Sequence, residues 1–159
     1  MMSVFTAGGD PAPTQGVPMF RGFATISFYA DDLAAARDWY AELLGVEAYY
    51  AFPPPPAAPA YIEFRLGDDG DELGVIDRRY APSGASNTPG GAVMHWHVDD
   101  LTATLEKLHA SGATEYQPIT EHGDGSGFTT ASVIDPFGNV LGIIHNPHYL
   151  EVLAARTTA

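Results

Sequence analysis

The 159-residue chain contains no cysteine. That removes disulfides, thiolate metal sites and cysteine nucleophiles together, so any metal would have to be held by His, Asp or Glu. Cations are scarce as well: seven Lys plus Arg stand against 20 Asp plus Glu, a formal charge of −13. Such a surface repels phosphate backbones and anionic headgroups at long range, which argues against nucleic acid as a partner. No run approaches the roughly 18 apolar residues of a membrane span. The opening MMSVFTAGGDPAPTQGVP lacks the basic start and apolar stretch of a secretory signal. The expectation is a cytoplasmic protein with no membrane partner.

What is present is an internal repeat. ATISFYADDLAAARDWY (24–40) aligns with AVMHWHVDDLTATLEKL (92–108) at an offset of 92 − 24 = 68. The same offset, without a gap, sets GDELGVID (70–77) on GNVLGIIH (138–145). Each copy begins as an alternating strand. Ile26, Phe28 and Ala30 share one face and Thr25, Ser27 and Tyr29 the other; Met94, Trp96 and Val98 oppose Val93, His95 and His97. Asp31 or Asp32, and Asp99 or Asp100, are placed to cap a following helix, and Gly45 and Gly112 to stop it. Trp39, Tyr40 and Trp96 fall on core-facing positions.

Three strand segments follow each helix: 46–52, 60–66 and 72–77 in the first copy, 114–120, 128–134 and 139–145 in the second. DPFGN (135–139) reads as a hairpin turn. The fold class is therefore α+β, two tandem βαβββ modules forming one domain. Residues 1–20 are expected as a flexible N-terminal arm, 21–80 as the first module, 81–91 as a linker, 92–146 as the second module and 147–159 as a C-terminal tail. The glycine-rich EHGDGSG (121–127) lacks the Lys-Ser or Lys-Thr and the following helix of a phosphate loop. Ser126 has no evident His and acid partners for a hydrolytic triad.

The helix DDLAAARDWYAELLG (31–45) and the hairpin VIDPFGNVLGII (133–144) resemble the vicinal oxygen chelate superfamily, which groups glyoxalase I, extradiol dioxygenases, fosfomycin-inactivating transferases and metal-free bleomycin-binding proteins. The resemblance implies the duplicated fold, a tendency to form homodimers, and, in metal-using members, ligands near the start of each first strand and within each last strand. Those places fall on Thr25, Val93, Gly74 and Gly142. Three have no side-chain donor, and a threonine hydroxyl is weak beside imidazole or carboxylate. The usual metal site is thus expected to be missing, with no cofactor called for.

His95 and His97 lie on the cleft face but two and four residues beyond the family's position. They serve as hydrogen-bonding groups of a cleft, as a displaced metal site completed by Glu63, Glu72 or another histidine, or simply as satisfied structural side chains. Glycine at 74 and 142 either widens the cleft or permits close packing. The expected function is a small-molecule binding protein of this superfamily without metal, holding an aromatic or apolar ligand with Tyr29, Tyr61, Glu63, His95 and His97 as its polar groups. The alternative is a glyoxalase- or dioxygenase-like enzyme, using a non-standard metal site or acid–base catalysis by His95 or His97 with Glu63.

Overall fold

A computed structural model describes residues 23–123 and 125–157; the expected arm at 1–20 lies outside the described residues. The first module runs β1 (Ile26–Ala30), α1 (Leu33–Leu44), β2 (Tyr50–Phe52), β3 (Tyr61–Leu66) and β4 (Asp71–Asp77). The second runs β5 (Met94–His97), α2 (Leu101–Ala110), β6 (Thr114–Glu121), β7 (Thr129–Ile134) and β8 (Val140–His145). Each forms a four-stranded mixed sheet, ordered β1-β4-β3-β2 and β5-β8-β7-β6, with the first and last strands parallel. Two βαβββ modules are therefore present, as the repeat requires.

The second aspartate of each pair is the cap. Asp32 Oδ1 accepts from Ala35 N–H and Asp100 Oδ1 from Ala103 N–H, both at 2.9 Å. Each satisfies a donor that the first helical turn leaves open. Gly45 ends α1 at φ 70°, in the left-handed region that a side chain disfavours. The alternation seen in the sequence decides what is buried. Phe28, Ala30, Ile62, Phe64, Leu73 and Val75 turn toward Leu33, Ala36 and Tyr40 of α1; Ala131, Val133, Leu141 and Ile143 turn toward Leu101, Leu105 and Leu108 of α2. Trp39 and Trp96 pack against this core half-buried.

DPFGN does more than turn the chain. Asp135 Oδ1 accepts from Phe137 N–H and Asn139 N–H at 2.9 and 2.8 Å. Its buried Oδ2 receives the Tyr40 hydroxyl of the other module at 2.5 Å and Asn139 Nδ2 at 2.8 Å. The Asn139 amide also pairs with both backbone groups of Tyr29, accepting from its N–H at 3.1 Å and donating to its C=O at 3.0 Å. Trp39 Nε1 donates to Ser111 C=O at 2.7 Å, and Arg78 reaches Phe137 C=O at 2.7 Å. Buried bonds of this kind contribute about 1 kcal/mol each and cost more when one partner is removed.

Residues beyond the second module are helical: α3 spans Pro147–Thr157. Asn146 Oδ1 accepts from His148 N–H at 3.1 Å, and Pro147 takes the first helical position, where a missing N–H costs nothing. No helix of the described residues is long and apolar enough to cross a membrane.

Candidate functional site

Helices α1 and α2 cover one face of each sheet; the opposite face is open except where α3 lies over His97 at the end of β5. The strand register fixes what that open face carries. In the first module Ser27 pairs with Gly74, Gly74 with Glu63 and Glu63 with Tyr50, forming one row; Tyr29, Ile76, Tyr61 and Phe52 form the next. In the second module the corresponding rows are His95, Gly142, Ser132, Gln117 and His97, Ile144, Thr130, Thr120. Every residue expected in the site from sequence belongs to these rows, because side chains two apart on a strand share a face.

The two last-strand glycines are covered by rings. A β-carbon on Gly74 would stand 2.5 Å from Tyr61 Cε2 and 2.7 Å from its hydroxyl, and one on Gly142 would stand 2.6 Å from His95 Cδ2. These distances are far inside van der Waals contact. Close packing, rather than a widened cleft, is what the glycines permit. The same observation tests the family's metal. The space a last-strand carboxylate would occupy holds Tyr61 in one module and His95 in the other, while Val93 offers no donor, so the residues present do not fit that metal site. Among the described residues no group of three or more His, Asp or Glu is arranged to hold a metal ion by another route.

A carboxylate does lie at the level of Gly74, one strand further out, a shift of about 4.8 Å. Glu63 is 8% exposed, and its Oε2 accepts from the Tyr61 hydroxyl at 2.8 Å. Burial, followed by the neighbouring Glu72, raises its pKa above the ordinary glutamate value, while Arg65 pulls it the other way. Arg65 pairs with Glu72 at 3.1 Å and lies over the Tyr49 ring at 5.2 Å. Tyr50 meets Tyr61 edge-on at 6.2 Å. The Tyr61 phenol is itself pushed up, by burial first and then by the charge of Glu72.

Between β1 and β5, under the 81–92 connection, lies an open cavity of about 1290 Å³. Ser27, Tyr29, Glu72, Arg78 and His95 are among its polar groups, and Ile26, Phe28, Met94 and Trp96 are among its apolar walls. Of the residues expected from sequence, Tyr29 and His95 line this cavity. Tyr61 and Glu63 form a bonded pair further out on the first sheet, and His97 stands apart.

His97 Nδ1 accepts from Asn146 N–H at 3.3 Å, which assigns the ring proton to Nε2. That Nε2 is buried without a hydrogen-bond partner; Asp99 Oδ1 is 3.8 Å away. The ring stacks on Tyr149 of α3, with centroids 4.7 Å apart, and His145 stands at 5.5 Å. The sequence singles out neither Tyr149, which lies within NPHYLEVL (146–153), a segment that reads as closing over the sheet or a partner subunit, nor the Arg78 side chain. The Asn-Pro pair that starts a helix was the available signal for the first; no sequence signal marks the second.

The family model for the Glyoxalase/Bleomycin resistance protein/Dioxygenase superfamily matches residues 22–143. A protein from Agrobacterium tumefaciens solved by NMR superposes with a TM-score of 0.63 at 23% identity, covering 79% of this chain and 98% of that one. A glyoxalase-related enzyme from Fulvimarina pelagi gives 0.60 at 21%, covering 80% and 90%. A superfamily member from Sphaerobacter thermophilus gives 0.62 at 16%, covering 81% and 100%. A comparison with curated proteins gave no match. At these identities the structural likenesses establish the fold.

Proposed function

This chain belongs to the Glyoxalase/Bleomycin resistance protein/Dioxygenase superfamily, and within it we propose a protein that binds a small, largely aromatic or apolar molecule between its modules without the family's metal. The observation that carries this reading is the pair of rings, Tyr61 on Gly74 and His95 on Gly142, filling the places of the last-strand ligands. The cavity beside them combines apolar walls with a few polar groups, the usual make-up of a small-molecule site. Tyr29 and His95 are its hydrogen-bonding groups, with Tyr61 and Glu63 behind them. The acidic surface favours cationic ligands at long range. A homodimer is the proposed working assembly, as the family resemblance implies, and the cytoplasm its proposed compartment.

A panel of aromatic and cationic compounds, read by thermal shift and repeated with Zn²⁺, Ni²⁺, Fe²⁺ and Mn²⁺, tests this reading. The expected result is a metal-independent shift that His95→Ala reduces. Stoichiometric metal bound by the wild type and lost in His95→Ala, His97→Ala overturns it.

One observation favours a second reading, catalysis by acid–base chemistry. Glu63 is buried beside Glu72, and burial followed by that neighbour raises its pKa above the ordinary glutamate value, the direction in which a carboxyl becomes a better proton acceptor. Turnover of any panel compound, abolished in Glu63→Gln with the fold intact, would establish it.

A further inference from the structure

The third helix crosses from the second module to the first. Its start is fixed at the end of β8, while the Tyr149 hydroxyl donates to Asp68 at 3.0 Å and Arg156 Nη1 pairs with Asp69 at 2.7 Å. Both aspartates lie in the turn between β3 and β4, whose flanking residues Leu66 and Asp71 line the cavity. No residue of α3 from Pro147 to Arg156 is fully buried. Exposed polar contacts and half-buried rings such as these are weaker ties than the buried ladders of a sheet.

Beneath it lies one donor that no hydrogen bond uses, Nε2 of His97. His97 shares the open face and the strand of His95, yet the cavity wall ends at Trp96, and the His97 side chain is 10% exposed under the Tyr149 ring. Its Nε2–H is a buried donor without a hydrogen-bond acceptor, a feature that is costly and that folded proteins rarely keep without use.

We propose that α3 is a strap over a reserve binding contact: when Tyr149 and Arg156 release Asp68 and Asp69, the cavity extends along β5 to His97, whose Nε2–H then donates to an acceptor oxygen on the bound molecule. In the closed state the Tyr149 ring covers that donor; in the open state the ligand takes over its satisfaction. The purpose of the strap rests on the binding reading above, but its opening does not, and is measured without ligand.

The test follows backbone amide exchange along α3 together with diethylpyrocarbonate modification of His97, as salt rises from about 0.05 to about 0.5 M, where exposed charge pairs weaken. Both rates are expected to rise together, while exchange at Leu141 and Ile143 stays unchanged. Arg156→Glu sets two carboxylates against each other, and both rates should increase about three- to tenfold. The reversed pair, Arg156→Glu with Asp69→Arg, should restore them. Should Arg156→Glu disturb the sheet, seen as faster exchange at Leu141 and Ile143, Tyr149→Phe replaces it, deleting the Asp68 bond while keeping the ring, and the same joint rise is expected. Exchange of α3 only at the rate of Leu141 and Ile143, a His97 rate indifferent to these variants, or a charge reversal without rescue overturns the proposal. Such a failure leaves the binding reading standing, and an unresponsive compound panel leaves the strap standing.

Discussion

The Met94 carbonyl oxygen and Gly142 approach so closely that a β-carbon on the glycine would stand 2.8 Å from that oxygen. One of the two last-strand glycines is thus hemmed in by backbone as well as by a ring. At Gly74 all three nearest atoms belong to the Tyr61 side chain, which can swing aside.

The two positions should respond differently to the same substitution. Gly142→Ala is expected to cost about 1–3 kcal/mol, the usual range for an overpacked site, because backbone cannot yield. Gly74→Ala should cost less while displacing Tyr61 and breaking its bond to Glu63. Urea denaturation of both variants checks the order, and equal losses would contradict it.

Tyr40→Phe deletes the hydroxyl that reaches Asp135 across the modules. The buried carboxylate keeps Asn139 but loses one partner, and a stability loss of about 1–3 kcal/mol is expected. Asn139→Ala should cost more, since it also takes away the partner of the Tyr29 N–H and leaves the Tyr29 C=O with Arg78 Nη2 at 3.3 Å. Calorimetric unfolding of the two variants measures the difference.

The stability difference between Glu63→Gln and wild type should depend on pH. The folded protein raises the Glu63 pKa above the ordinary 4.5, so the contribution of this group is full below that value and is lost as pH rises through the folded pKa. Relative to wild type, the glutamine variant should therefore gain stability as pH climbs above about 4.5 and show no such gain below it. Denaturation midpoints across that window provide the check, and a flat difference would count against the assigned cause.

Asp32→Ala and Asp31→Ala separate the cap from its neighbour. Losing the bond to Ala35 N–H should cost about 1 kcal/mol. Asp31, exposed and paired with Arg78 at 3.2 Å, should cost at most about that and weaken further with salt. Thermal melts at two ionic strengths distinguish them.

The modules, their strand faces and the helix ends were legible because they depend on local periodicity. Ile26, Phe28 and Ala30 alternate with Ser27 and Tyr29 in the sequence as they do across the sheet. Gly74 and Gly142 were legible as positions without donors, but what fills the space above them depends on how Tyr61 and His95 fold over neighbouring strands, which no spacing encodes. Tyr61 and Glu63 are expected with His95 among the polar groups of one cleft, and the register puts them further out on the first sheet, away from the cavity that His95 lines. Asn139 looked like a turn residue; its pairing with Tyr29, 110 positions away, is a tertiary fact. For the last 13 residues, the expectation of a tail missed the Asn146-Pro147 start signal.

The offset that relates the modules carries Asn139 onto Asp71, and a carboxylate cannot donate to a carbonyl as well as accept from an amide. The duplicated architecture thus has a rung of side-chain amide at one end of its seam and no equivalent at the other. At that other end the tie comes instead from outside the repeat, through Tyr149 on Asp68 and Arg156 on Asp69.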